Sequence, residues 1–233
     1  LTTISLLQSF KPTIEFEDLT YNFVTDFEKF LYESGYQTNT VAKHMKHLKS
    51  FVNAAINKGY IDPNNYAFRR YKIKMKEGKH VFLLPEEMKR LEEVSLTGRN
   101  SCLEHTLDAF LFCCYTGLRY SDFVNLNEKN IVKMDGKLWL IFDSVKTGTE
   151  VKLPLNLLFE GKALTLLQKY QGKWSSFFSI KNNSSVNKEL IRIGKLAKIS
   201  KHFSFHSARH TNATLLIYKG ANITTVQKLL GHK

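Results

Sequence analysis

Five basic side chains occur at positions from which they could act together on one anion. They are two arginines, one lysine and two histidines, namely Arg119, Lys146, His206, Arg209 and His232. His206 and Arg209 are three residues apart, so on a helix their side chains emerge from one face about 5 to 6 Å apart. Paired guanidinium groups bind phosphate oxygens, and a lysine or histidine can protonate a departing oxygen. The set predicts phosphodiester chemistry that uses no metal ion and no other cofactor.

Each of these residues lies in a short motif that is weak by itself. The motifs are TGLRYSDF at 116–123, VKTG at 145–148, FHSARHTNAT at 205–214 and LLGH at 229–232. Taken alone, Arg119 would more often be a surface or helix-capping residue, and Lys146 a common lysine beside an exposed turn. The interpretation therefore depends on the order of the whole set.

Local patterns place the motifs on defined elements. Gly117 is expected to end a helix just before Arg119, and Gly231 to end the last helix. Lys146 lies in a tight turn between two predicted strands. His206 is expected to open a helix, whose N-terminus adds positive potential.

The predicted fold class is mainly α with a small antiparallel β-sheet. Apolar periodicity and capping signals predict helices at 23–31, 41–56, from Pro85, from the Ser101-x-x-Glu104 capping box to Gly117, and at 157–170, 186–198, 206–219 and 223–230. The expected strands are 131–133, 138–142 and 151–155, joined by tight turns. The polar stretch 172–185 is expected to be a surface loop.

Charge indicates two domains that bind the same polyanion. The 233 residues carry a net charge of +13, which favours a nucleic-acid partner. The apolar period fails around 66–80, where lysines and arginines accumulate. We therefore expect a helical domain at 1–75, a basic linker at 76–80 and an α+β domain at 81–233, with the boundary dividing the charge into +4 and +9.

Candidate nucleic-acid contacts lie in the first domain and in the basic stretch. They are Lys43, Lys46, His47, Arg69, Arg70, Lys72 and Lys74. The first three lie with Ser50 on one polar face of the second predicted helix, which makes that face basic and suited to binding phosphate. For that face alone, a solvated row of lysines is the alternative interpretation.

Several classes of protein are disfavoured. No stretch approaches the ~18 apolar residues that cross a bilayer, so membrane insertion is not expected. Cys102, Cys113 and Cys114 fit neither a disulfide framework nor a zinc site, and are expected to be buried thiols in a reducing cytoplasm. The start at Leu1, without a signal-peptide pattern, suggests an internal fragment or a trimmed chain.

The order and spacing of the four motifs resemble the tyrosine recombinases, specifically the integrases of bacterial mobile elements, and the resemblance spans nearly the whole chain. It implies a helical, SAM-like core-binding domain and a catalytic domain of the DNA breaking-rejoining fold, which clamp duplex DNA at core recombination sites. It also implies further protomers, a tetramer in the synaptic complex, accessory DNA-bending proteins, and a cytoplasmic location at the bacterial nucleoid.

The resemblance assigns a role to each residue of the set. Arg119 and Arg209 would bind the scissile phosphate, and Lys146 would protonate the leaving 5′ oxygen as general acid. His206 would assist proton transfer, and His232 would complete phosphate binding. In the same motif, an acidic residue supports the site through a salt bridge or a cap, and here that residue is Asp122.

The nucleophile is not found in this chain. Family members attack with a tyrosine about nine residues after the position of His232 and form a 3′-phosphotyrosyl intermediate. The chain stops at Lys233, and none of its ten tyrosines, of which Tyr218 is the last, matches that position. The chain as given is expected to bind DNA without cleaving it covalently and to be a monomer when free in solution. An N-terminal arm-binding domain is also missing.

Two other functions remain open. A type IB topoisomerase uses the same set of arginine, lysine and histidine residues but relaxes supercoils with little sequence preference. The integrase-like motifs FHSARHT and LLGH make it the weaker hypothesis. A non-enzymatic DNA-binding regulator or excision accessory on the same scaffold would fit the missing nucleophile. The coding sequence downstream of residue 233 separates the enzyme from the regulator.

Overall fold

The computed structural model describes residues 2–231. The chain divides into two units, Leu1–Lys79 and His80–Lys233. The division falls in the stretch 71–84, which forms neither helix nor strand. Its many lysines repel one another and its apolar residues have no helical period, so no amphipathic element forms there.

The first unit is helical. Its helices are α1 (Thr3–Phe10), α2 (Tyr21–Glu33) and α3 (Thr38–Asn57), with short 3₁₀ turns at Phe16–Asp18 and Pro63–Asn65. The expected helices at 23–31 and 41–56 are confirmed as parts of α2 and α3. Their apolar stripes meet in one core, in which Phe27, Leu31, Met45 and Val52 have no exposed surface. Helix α1 was not predicted from the sequence, and its Leu6 and Leu7 complete this core.

The second unit combines helices with one small sheet. Its helices are α4 (Pro85–Glu92), α5 (Glu104–Thr116), α6 (Tyr120–Val124), α7 (Lys162–Lys169), α8 (Trp174–Phe178), α9 (Asn183–Leu196), α10 (Ser207–Tyr218) and α11 (Ile223–Leu229). Helix α5 lies at the centre, and every residue from Thr106 to Thr116 is buried. A helix that is apolar all round needs partners on all sides, and α5 packs against α7, α8, α9 and α10.

The sheet has the strand order β1-β2-β3, with β1 at Ile131–Met134, β2 at Lys137–Asp143 and β3 at Glu150–Pro154. Both pairings are antiparallel, and each expected strand is confirmed to within a few residues. Asp135 and Gly136 both have positive φ, the turn geometry that Asp-Gly favours between two strands. The second turn holds the segment with Lys146.

One expected loop is instead part of the core. The polar stretch 172–185 contains α8, followed by the start of α9. Phe177 and Phe178 in α8 are 0% and 1% exposed and pack edge-on against Phe112 and Phe123. Two apolar residues among serines, lysines and asparagines give no periodic signal, so only their tertiary partners reveal the element.

Three other local expectations were wrong. The helix expected at 157–170 begins with a 3₁₀ turn, Leu158–Gly161, and α7 starts only at Lys162. The Ser101-x-x-Glu104 capping box does not form, because Ser101 lies in a 3₁₀ helix, Gly98–Leu103, and donates its hydroxyl to the carbonyl of Gly98. Cys102 is exposed, whereas Cys113 and Cys114 are buried as expected.

Candidate active site

Arg119 is held by side chains from two elements. It follows the left-handed Gly117 that ends α5 and is the N-cap residue of α6. Its Nη1 donates to the hydroxyl of Ser144 at 3.0 Å and lies 3.5 Å from the carboxylate of Asp122. Its side chain is 15% exposed. The guanidinium therefore has a fixed orientation and retains an open side.

Asp122 joins α6 to the β2–β3 turn. Its side chain is 2% exposed, and its carboxylate accepts hydrogen bonds from the backbone N–H of Val145 at 2.9 Å and from the Ser144 hydroxyl at 3.4 Å. A buried carboxylate is stable as an ion only where hydrogen bonds and a positive partner compensate for the lost water. Arg119 and the turn provide both. Asp122 thus connects one arginine of the set to the segment that carries the lysine.

Lys146 projects from a tight turn. The carbonyl of Ser144 accepts from the N–H groups of Thr147 and Gly148 at 3.2 and 2.8 Å, and Ser144 N–H donates to Thr149 at 2.9 Å. Lys146 itself is exposed. The turn backbone is ordered while the ammonium group remains free to reach a ligand.

Arg209 is the most buried of the four basic residues of the set that the structure describes. It lies in the first turn of α10, is 7% exposed, and donates from Nη1 to the carbonyl of Gly117 at 2.9 Å and from Nη2 to that of Leu230 at 2.6 Å. Burial and the charge of Arg119 lower the pKa of Arg209 to about 10, so it remains protonated at neutral pH. A guanidinium has five N–H donors, and these two bonds leave others for an anion.

His206 is the N-cap residue of α10 and is exposed. Partial desolvation, followed by the positive charges of Arg209, Arg119 and Lys146, lowers the pKa of His206. These charges act on the ring because the structure brings the three basic side chains within electrostatic reach of His206. At neutral pH the ring is neutral and can accept a proton.

Three residues at the site were not found from the sequence. Ser144 contacts Arg119 directly. The ring of His210 meets that of His206 edge-on and lies tilted against that of His80, with centroids 4.9 and 4.6 Å apart. His210 could have been identified from the sequence, because it is a histidine directly after Arg209 in the motif. The sequence around Ser144 and His80 contains no signal that points to the site. No group of three or more His, Cys, Asp or Glu residues within 2–231 could hold a metal ion.

One residue of the predicted set cannot be placed. His232 lies outside the described residues, and its role stays a prediction. The structure brings together the other four basic residues, Arg119, Lys146, His206 and Arg209, with Asp122 beside them. They come from the α5–α6 junction, the β2–β3 turn and the start of α10.

The candidate DNA contacts belong to the first unit and not to this site. Lys43, Lys46 and His47 are exposed on α3, and the Nδ1 of His47 is 2.7 Å from the hydroxyl of Thr3. The remaining candidates, Arg69, Arg70, Lys72 and Lys74, are exposed in the irregular segment after the Pro63–Asn65 turn. Their contact with DNA stays a prediction.

Comparison with known families identifies the chain. A model of the phage integrase family matches residues 81–233, and a model of the phage integrase SAM-like domain matches residues 1–74. The chain therefore belongs to the phage integrase family of tyrosine recombinases. In the part that the structure describes, no helix combines the length and apolar character needed to span a membrane.

Named relatives are also tyrosine recombinases. Tyrosine recombinase XerC of Oceanobacillus iheyensis is 28% identical over 230 residues, which cover 93% of this chain and 73% of that protein. Tyrosine recombinase XerA of Saccharolobus solfataricus is 31% identical over 153 residues, which cover 64% of this chain and 50% of that protein.

Solved structures share the fold. A lambda integrase dimer bound to a COC′ core site has a TM-score of 0.80 at 19% identity, covering 99% of this chain and 82% of that one. The Tn1549 transposon integrase in complex with circular intermediate DNA has a TM-score of 0.74 at 18% identity, covering 99% and 83%. The predicted fold class, mainly α with a small antiparallel sheet, is confirmed.

Proposed function

We propose that this chain is the DNA-binding and catalytic core of a site-specific recombinase that cleaves and rejoins duplex DNA to integrate or excise a mobile element. The observation that carries the proposal is the convergence of two arginines, a turn lysine and a neutral histidine from separate segments of the second unit. In this interpretation residues 1–75 bind DNA, 76–80 link the domains, and 81–233 activate the phosphate.

The two arginines supply the positive field for phosphoryl transfer. As an oxygen attacks phosphorus, negative charge is shared among the non-bridging oxygens, and fixed donors at those oxygens stabilise the transition state. Arg209 is held by two backbone carbonyls and Arg119 by Ser144. Both guanidinium groups are therefore already oriented before the substrate reacts.

Lys146 and His206 divide the proton transfers. We assign attack to a tyrosine that the family resemblance places about nine residues after His232. Its hydroxyl oxygen bonds to phosphorus, the bond from phosphorus to the 5′ oxygen breaks, and Lys146 gives its proton to that oxygen. The neutral ring of His206 is suited to take the tyrosine proton. The 3′-phosphotyrosyl bond conserves the energy of the phosphodiester for rejoining.

Partners follow from the same proposal. Among proteins of similar fold, lambda integrase has been solved as a tetramer bound to a Holliday junction and XerH bound to difH substrate. These support duplex DNA and further protomers as partners, with a tetramer in the synaptic complex. The integrase of the Tn1549 transposon supports the mobile-element role. Accessory DNA-bending proteins, and a cytoplasmic location at the nucleoid, belong to the same proposal.

The proposal is tested by covalent capture. The protein, extended by the sequence that follows Lys233, first selects its site from random duplexes and then reacts with that site as a nicked suicide substrate. We expect a covalent adduct. Arg119→Ala should lower the cleavage rate by about 10²-fold or more while DNA affinity changes much less, as when one oxyanion donor is lost.

Arg192→Ala is the matched control, because Arg192 is exposed on α9 and donates a hydrogen bond to the side chain of Asn100 at 3.3 Å. It should cleave at the parent rate. Site-specific binding without any adduct would favour a regulator or accessory, and relaxation of supercoils without a preferred site would favour a topoisomerase. Equal losses of affinity and cleavage in Arg119→Ala would make that residue an ordinary phosphate anchor.

A further inference from the structure

We propose that Ser144 is a positioning residue that sets the orientation of the Arg119 guanidinium for phosphate binding. This inference rests on the proposed recombinase function. Ser144 belongs to none of the four motifs, yet its side chain makes the shortest polar contact of Arg119 in the structure.

The hydroxyl of Ser144 lies between two charged groups. Its oxygen accepts from Arg119 Nη1 at 3.0 Å and lies 3.4 Å from Asp122 Oδ1, to which its hydrogen points as donor. The direct contact between Arg119 and Asp122 is longer, at 3.5 Å. Ser144 therefore bridges the arginine to the carboxylate and supplies the closer of the two restraints.

Burial makes this restraint effective. Ser144 is 1% exposed, so water does not compete for the hydroxyl from the solvent side. Hydrogen bonds to an ionised group are the stronger kind, and removal of one partner leaves the other unsatisfied. Without the hydroxyl, one N–H of the Arg119 guanidinium loses its fixed partner and the group can rotate away from the phosphate.

The side chain and the backbone of Ser144 have separable tasks. The backbone closes the turn that carries Lys146 through bonds to Thr147, Gly148 and Thr149. The turn is additionally held by the Val145 N–H donating to Asp122 at 2.9 Å. Ser144→Ala removes only the hydroxyl, so the turn and the lysine should stay in place while the arginine loses its restraint.

A modified leaving group distinguishes these two effects. When the 5′ bridging oxygen is replaced by sulfur, the departing thiolate has a much lower proton affinity and needs no general acid. If Ser144→Ala misplaced only the lysine, cleavage of the sulfur substrate would therefore be as fast as in the parent. If it weakened phosphate binding by Arg119, cleavage of this substrate would still be slow, because charge still develops on the non-bridging oxygens.

The experiment measures single-turnover cleavage by the extended protein on selected sites that carry either oxygen or sulfur at the scissile position. Ser144→Ala should react about 10- to 100-fold more slowly than the parent on both substrates, the scale expected for a misplaced catalytic group. DNA affinity should remain that of the parent. The melting temperature should fall by a few degrees at most and stay above the assay temperature, because one buried hydrogen-bond partner is lost. Ser144→Thr, which retains the hydroxyl, should recover most of the rate.

Ser101→Ala is the control for loss of a serine hydroxyl away from the site, since the exposed Ser101 hydroxyl donates to the carbonyl of Gly98. The positioning role is wrong if Ser144→Ala cleaves at the parent rate, if sulfur restores its rate, or if Ser144→Thr is as slow as Ser144→Ala. Absence of an adduct in the parent protein is a separate result, and it would refute the recombinase function itself.

Discussion

At the scale of single residues, Arg209 is placed to bind phosphate and is also part of the protein's own structure. Its two hydrogen bonds join the end of α5, at Gly117, to the end of α11, at Leu230. A charged donor to a buried carbonyl contributes more than a neutral one, and its loss leaves the carbonyl without a partner. The residue that activates the substrate therefore also stabilises the unit around it.

This dual role gives a stability prediction. Arg209→Ala should lower the free energy of unfolding of the second unit by about 3 kcal/mol, because two charged hydrogen bonds are lost in a buried place. Urea denaturation followed by circular dichroism measures the change. Arg192→Ala, at an exposed position, should change it by less than about 0.5 kcal/mol. Equal effects of the two substitutions would show that the carbonyl contacts of Arg209 contribute nothing to stability.

His206 gives a prediction about pH. Its pKa is lowered by desolvation and by nearby Arg209, Arg119, Lys146 and His80, with the ring of His210 also in contact. The unfolded chain therefore binds more protons than the folded one just below pH about 6.5, the ordinary value for histidine. The contribution of His206 to stability is present above that pH and is lost as the pH falls through the folded pKa.

The titration of the His206 ring can be followed by its proton resonances in NMR. The midpoint should lie below about 6.5, the unperturbed value. Lys146→Gln removes one of the positive charges and should raise the midpoint. Lys133→Gln makes the same change in net charge on exposed β1, where no contribution to His206 is found, and should leave it in place. A midpoint above the unperturbed value would contradict the electrostatic account.

At the scale of elements, the end of α5 is where several contacts of the site meet. Gly117 has a φ of +73° and ends the helix, as its sequence signal predicts. A Cβ at this position would lie 2.4 Å from Leu230 Cδ2 and 2.8 Å from Asn212 Oδ1. The glycine thus permits both the turn into Arg119 and the close approach of α10 and α11.

Substitution of Gly117 should therefore be costly. Gly117→Ala should destabilise the second unit by about 2 kcal/mol or more, through backbone strain at positive φ and overpacking together. Gly98→Ala separates backbone strain from overpacking, because Gly98 also has positive φ but a Cβ added there would have no atom within 4 Å. It should cost about 1 kcal/mol in the same urea experiment. Similar costs at both positions would show that packing at Gly117 is unimportant.

At the scale of the whole molecule, the charge of +13 is carried by two units joined through an exposed basic stretch. We predict that brief digestion with trypsin cuts first after Lys72, Lys74, Lys76 or Lys79, all exposed and outside any helix or strand. Mass spectrometry should then find a fragment that begins just after one of them and contains the second unit. The equally exposed Lys43 and Lys46 lie within α3 and should resist. First cuts inside α3 would contradict this division.

The sequence by itself determined the features that depend on neighbours along the chain. Gly117, the Asp135-Gly136 turn and the stripes of α2 and α3 were predicted correctly, because backbone stereochemistry and helical periodicity act locally. The order of the motif residues also sufficed to indicate the family. The family models and the shared fold confirmed that prediction.

Only the tertiary structure decided which distant residues meet. Ser144 contacts Arg119 across 25 positions of sequence, and Arg209 reaches a carbonyl 92 positions away. Helix α8 is an element of the core because Phe177 packs on Phe112, and its own sequence gives no such signal. The physical reason is that burial and hydrogen bonding depend on which surfaces meet in space. Residue type and spacing along the chain do not determine those contacts.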